Sequence, residues 1–171
     1  MKIYSIKRKM VFMDKVKNGD ALYSIGILWN MGTKYANEII SEISQSVKLL
    51  DVRKYNLKEI YDNFVIDCYK GDDEAFLDGY IYDKIKNMKN AGNNKIFLFI
   101  VQINNPTYKL NKENGIIQCV EIRNIKRKIR EQYAKRIDGY FFDNLIHMTD
   151  NDEEYQRVIN VIENYNNYIE S

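Results

Sequence analysis

His147 is the only histidine in a chain of 171 residues. It stands in the segment Asp143-Asn144-Leu145-Ile146-His147-Met148-Thr149-Asp150, where an apolar run delivers it to the edge of a helix start. Imidazole is the side chain most readily turned into a nucleophile or proton carrier near neutral pH. Asn144, three residues earlier, brings an amide toward the same point. Thr149 and Asp150 open the next helix, whose first N–H groups have no partner inside the helix and attract anions. A phosphate arriving there would meet donors and an imidazole together, which suits phosphoryl transfer or phosphate recognition. The competing reading is a buried or half-buried histidine at a strand end, with one ring nitrogen satisfied by a backbone carbonyl.

A second constellation lies upstream. Seven of the fourteen residues from Arg123 to Arg136 are Lys or Arg. On a helix, Arg123, Arg127 and Arg130 share one face while Ile122, Ile125 and Ile129 share another. Such a face is either solvated cover over a packed stripe or a phosphate-binding surface, for a nucleotide or for a nucleic-acid backbone. Guanidinium forks match phosphate oxygens two at a time, which lysine cannot do. The acidic segments 71–74 and 150–154 both precede expected helices, where carboxylates complement the helix dipole, so no metal site is inferred from them. Trp29-Asn30-Met31-Gly32-Thr33 lacks the glycine pattern of a phosphate loop.

The elements that position these residues follow from hydrophobic spacing. Residues 21–29 and 96–101 are short apolar runs that read as buried strands, and 47–55 alternates as another. Ala36, Ile39, Ile40, Ile43 and Val47 recur at helical spacing, as do Leu57, Ile60, Tyr61, Phe64, Val65 and Cys68. Leu77, Ile81, Ile85 and Met88 make a further helix. A weak strand is expected between Gly115 and Ile122, a basic helix over 123–134 and a strand over 140–147. The final helix, 150–169, carries Asp150 and Glu153 as a capping-box-like pair and a stripe of Tyr155, Val158, Ile159, Ile162, Tyr165 and Ile169. This order predicts an α+β fold: a ferredoxin-like antiparallel sheet covered by helices, with an additional C-terminal helix. A parallel flavodoxin-like sheet is the alternative.

The chain reads as a single domain over 1–171, with 1–20 as an N-terminal extension and 21–169 as its core. An apolar share of 45% and a mean hydropathy of −0.50 fit a water-soluble globular protein. The formal charge of +2 demands no polyanionic partner. No apolar stretch approaches the ~20 residues that span a bilayer, and the charged start lacks the apolar centre of a signal peptide. Two cysteines, Cys68 and Cys119, suggest neither a disulfide framework nor a zinc site. A cytoplasmic setting without membrane contact is the expectation, and homo-oligomerisation is left open.

The segment Asn144-Leu145-Ile146-His147-Met148-Thr149-Asp150, followed by a capped amphipathic helix, resembles the Asn-x-x-His-Gly-Ser-Asp motif of nucleoside diphosphate kinases. Residues 37–43, 47–55, 57–71 and 96–101 are similar in order to that family's first helix, second strand, following helices and next strand. Ile129-Arg130 resembles an Ile-Arg pair upstream of its histidine. The resemblance implies that His147 is a phosphate-accepting nucleophile, that Asn144 contacts ribose or phosphate and that Arg130 holds phosphate. Arg123, Arg127 and Thr149 complete the candidate ligand set. Mg²⁺ would enter only with a bound nucleotide; no other cofactor is indicated. The chain departs from the pattern where the family's lysine gives way to Leu28-Trp29-Asn30 and its glycine to Met148. The carboxylate expected to orient the imidazole falls at Val158. The expectation is therefore a divergent nucleotide-binding protein with slow phosphotransfer. A nucleic-acid-binding or regulatory interaction module built on Arg123–Arg136 is the alternative.

Overall fold

Four strands of the chain pair into one sheet whose order is set by two crossovers. The computed structural model describes residues 20–112 and 115–168. Most of the expected N-terminal extension, and Ile169 of the final stripe, lie outside the described residues. Strand β1 spans Leu22–Leu28, helix α1 Ala36–Ser46, β2 Lys48–Asn56, α2 Tyr61–Tyr69, α3 Asp73–Phe76 and α4 Tyr80–Met88. Then follow β3 Lys95–Ile103, β4 Tyr108–Leu110, β5 Ile117–Cys119, α5 Val120–Ala134, β6 Ile146–Met148 and α6 Asp152–Tyr165. The main sheet runs β2-β3-β1-β6 with every neighbouring pair antiparallel, and β4 and β5 form a separate ribbon. This is the ferredoxin-like arrangement, and the antiparallel pairing rules out the parallel alternative.

The inner strands carry apolar residues on both faces because both faces are covered. On β3, Ile96 and Leu98 are buried on one side and Phe99 and Val101 on the other, since successive side chains point to opposite faces. Edge strand β2 alternates instead, with Leu50 and Val52 exposed. Gly26 of β1 sits directly opposite Phe99 of β3, and the Phe99 ring occupies the space a Cβ would need. Glycine is required there by close approach, not by turn geometry. Helix α5 buries Ile122, Ile125, Ile129 and Tyr133, which confirms the expected stripe.

Several expected boundaries move. The strand expected over 140–147 is only Ile146–Met148, because Phe142 and Asp143 adopt left-handed backbone (φ +58° and +49°) that no strand accommodates. The Gly115–Ile122 strand shortens to β5, since α5 already starts at Val120. Leu77 leaves the α4 stripe: Asp78 and Gly79 have positive φ, and Leu77 projects into solvent. The cap of α6 is displaced by one residue. Asn151 accepts from Glu154 N at 2.9 Å, and Glu154 accepts from Asp150 N at 2.7 Å, in place of the expected Asp150–Glu153 pair. Asp150 is diverted because its carboxylate meets Lys126. On α6 only Val158 is fully buried, while Tyr155, Ile159, Ile162 and Tyr165 are half-buried against the core.

The Gly26–Phe99 contact gives the first prediction. Gly26→Ala should destabilise by ~1–3 kcal/mol through overpacking, and Phe99→Leu should relieve part of that cost. A double-mutant cycle by urea denaturation should show a favourable coupling of ~0.5–3 kcal/mol; strict additivity would remove the proposed clash.

Candidate active site

His147 is the middle residue of β6, in register with Ile27 of β1, and is 8% exposed. Its ring stands edge-on to Tyr69 at the end of α2, with centroids 5.1 Å apart. Nε2 lies 3.3 Å from Glu154 Oε1, although the N–H is not aligned as a hydrogen bond. Glu154 in turn has Arg157 Nη2 3.6 Å from Oε1. Burial pushes the Glu154 carboxyl upward, but the imidazole, Lys126 and the Asp150 N–H outweigh it and hold the group down at about 2. The carboxylate expected at Val158 is not there; the carboxylate beside the ring is that of Glu154, four residues earlier. Val158 itself is core.

The other side of β6 is the open edge of the sheet. Leu145 O accepts from Trp29 N, just past β1, and Thr149 N donates to Ile25 O of β1, so the carbonyls of Ile146 and Met148 point outward. Arg130 Nη2 donates to Ile146 O at 3.0 Å, and Lys126 Nζ donates to Met148 O at 3.2 Å. Four residues of helix rise ~6 Å and two residues of strand ~6.6 Å, so residues 126 and 130 of one helix match carbonyls 146 and 148 of the strand. Lys126 also pairs with Asp150 Oδ2 at 2.7 Å, and Arg130 Nη1 lies 3.6 Å from Asp143 Oδ2. Burial keeps the Asp150 carboxyl above its ordinary range despite Lys126.

These groups line a cleft of about 520 Å³ that also takes in Tyr80, Lys84, Asp72, Glu74 and Glu153. Of the residues singled out from sequence, His147 and Arg130 meet in it. Asn144 does not: it is fully buried, donates to the Asn87 side-chain oxygen and leaves its own Oδ1 unpartnered. Thr149 is stitched to β1, its Oγ1 accepting from Ile25 N at 3.0 Å while Ser24 donates to its carbonyl at 2.8 Å. Arg123 and Arg127 are on the solvent side of α5, outside the cleft. Within the same basic segment Lys126 and Arg130 are engaged with β6 and its flanks, and Arg136 pairs with Glu38 at 2.7 Å on the surface.

Sequence reasoning missed Lys84, Glu154 and Arg157. Lys84 carried a legible signal, since Ile81, Lys84, Ile85 and Met88 form one buried stripe with a lysine inside it. Glu154 and Arg157 flank Val158 at helical spacing and were hidden by the acidic run around the cap. Among the described residues no group of three or more His, Cys, Asp or Glu could hold a metal ion, and no helix is long and apolar enough to cross a membrane.

A second prediction follows from Glu154. Its carboxyl is depressed from an ordinary 4.5 to about 2, so its contribution to stability is complete above the ordinary value and is lost as pH falls between the two. Glu154→Gln should flatten that acid limb, measured as the urea midpoint at about pH 3 against about pH 6. An unchanged limb would mean that the carboxylate is not held by His147 and its neighbours.

No family model and no curated protein matches the chain. Among solved structures it is similar to a nucleoside-diphosphate kinase from Borrelia burgdorferi, a transition state mimic with bound vanadate and ADP. The identity is 15%, the match covers 82% of this chain and 86% of that one, and the TM-score is 0.49. A likeness of this order decides neither ligand nor chemistry.

Proposed function

We propose that the cleft around His147 binds a nucleotide or a related phosphorylated compound, and that His147 slowly accepts its terminal phosphoryl group. The observation that supports this best is the meeting of His147 with Arg130, Arg157 and Lys126 on one cleft, which gathers three cationic side chains beside the imidazole. Phosphoryl oxygens supply acceptors with the geometry a guanidinium prefers. The carboxylates on the cleft favour a ligand delivered as its Mg²⁺ complex, with the ion carried by the nucleotide and not by a resident protein site.

The imidazole is oriented for nucleophilic work. Nε2 lies beside the Glu154 carboxylate, and in the proposed reacting state its N–H turns onto that carboxylate and leaves the lone pair on Nδ1. In the proposed step that lone pair forms a bond to the terminal phosphorus. The bond from phosphorus to the bridging oxygen breaks, and its electron pair leaves with the diphosphate. Glu154 then stabilises the positive charge that spreads over the ring, as an orienting carboxylate does for a histidine base. Tyr69 closes the apolar side, so the ring cannot rotate away from Glu154 without losing that packing.

The experiment has two parts. Calorimetry with Mg²⁺–ATP should show binding, and Arg130→Ala should weaken it ~10–100-fold through loss of a charge-assisted contact. Incubation with γ-labelled nucleoside triphosphate should give an acid-labile, base-stable phosphoprotein that His147→Ala abolishes. Absence of binding heat with every nucleotide, together with no label, ends this reading; binding without label leaves a ligand-binding protein and removes the transfer step.

A further inference from the structure

Lys84 is the cleft's least compensated charge. It is 3% exposed, on a helical stripe otherwise filled by Ile81, Ile85 and Met88. Its Nζ donates to the Tyr69 hydroxyl at 2.7 Å and to the Asp143 carbonyl at 3.4 Å, and sits 4.3 Å from the Tyr69 ring centre. No carboxylate lies within ion-pair distance among the described residues. A buried ammonium with only a phenol and a weak carbonyl contact lacks both the charge partner and the third acceptor it needs.

Resting on the nucleotide reading of the same cleft, we propose that Lys84 senses ligand charge. Binding of a phosphoryl dianion recruits a proton from solvent to Nζ, and the resulting ammonium–phosphoryl contact selects dianions over monoanions and neutral compounds. The groups facing Nζ set the direction. Burial disfavours the charged form most strongly, and Arg130 on α5 adds repulsion. Asp143 on the loop before β6 and Asp72 before α3 pull the other way from longer range. The balance brings the Lys84 amine down to about 7 in the ligand-free cleft. A dianion would reverse both leading causes, by replacing lost hydration and by neutralising Arg130. The amine would then regain a proton at a pH where the free protein has released it. Between the free and bound midpoints, affinity falls as pH rises, because each bound ligand must also capture a proton.

Calorimetry of the full chain at about pH 8, above the second ionisation of a phosphate ester near ~6, tests this in two buffers of different ionisation enthalpy. The probes are inorganic pyrophosphate and ADP, with dimethyl phosphate as the monoanion. Wild type should take up close to ~1 proton per dianion, with affinity falling up to ~10-fold per pH unit above neutrality. Dimethyl phosphate should bind at least ~10-fold more weakly than pyrophosphate, since the ammonium contact is lost. Lys84→Met, which keeps the apolar stem and volume, should bind without proton uptake, and His147→Gln should retain it. Binding without uptake, or uptake that survives Lys84→Met and disappears in His147→Gln, overturns the proposal while leaving nucleotide binding intact. Absence of heat with both dianions overturns the nucleotide reading and this proposal together. Should Lys84→Met fail to fold, the pH dependence of proton uptake by wild type alone decides the matter.

Discussion

The open edge of β6 is the constraint on which the site depends. A three-residue strand at the end of a sheet has little pairing of its own, and its outward carbonyls would otherwise invite another chain. Here Lys126 and Arg130 occupy those carbonyls from the side. On the inward side, Thr149 extends the attachment to β1 through its N–H, its carbonyl and its hydroxyl. His147 lies between these two sets of bonds, so its backbone is fixed by groups on either side of it. Much of the basic segment is therefore explained before any ligand is considered. It closes a sheet edge, and what is left of Arg130 faces the cleft.

Within the cleft, opposite charges alternate except at Lys84, which has no carboxylate within ion-pair distance among the described residues. Lys126 pairs with Asp150, Arg130 approaches Asp143, and Glu154 stands between His147 and Arg157. Such a network is held in place by the cost of breaking it, because removing one member strands the other in a poorly solvated place. It is also incomplete. One oxygen of Asp150 and the Nε atoms of Arg130 and Arg157 have no protein partner.

The aromatic residues fix the depth of the cleft. Trp29 is wholly buried at the end of β1, with Tyr69 stacked on it at 6.2 Å and Tyr61 and Phe64 set edge-on at 6.4 Å each. Tyr69 thus has one face against the core and an edge toward His147, while its hydroxyl reaches Lys84. One side chain sets the spacing between the imidazole and the lysine. Displacing it would loosen both.

The fold was largely legible because its signals are local. Apolar runs too short for helices, stripes at helical spacing and glycine punctuation identified the strands of the sheet and the main helices, and their order allowed few topologies. His147 and Arg130 could be named for the same reason, as unusual residue types at the ends of recognisable elements. The chain could not reveal which charges meet. Asn144 and Thr149 adjoin His147 in sequence, but Asn144 precedes the strand, follows the left-handed backbone at Phe142 and Asp143 and turns inward to Asn87, while Thr149 bonds Ser24 and Ile25 of β1. Both became structural. Lys84, Glu154 and Arg157 come from helices that meet β6 only when the sheet closes, so neither distance along the chain nor a motif spacing connects them. Sequence fixes each residue's face on its own element; the packing of one element on another decides which faces meet, and that sum of burial and register is a property of the whole fold.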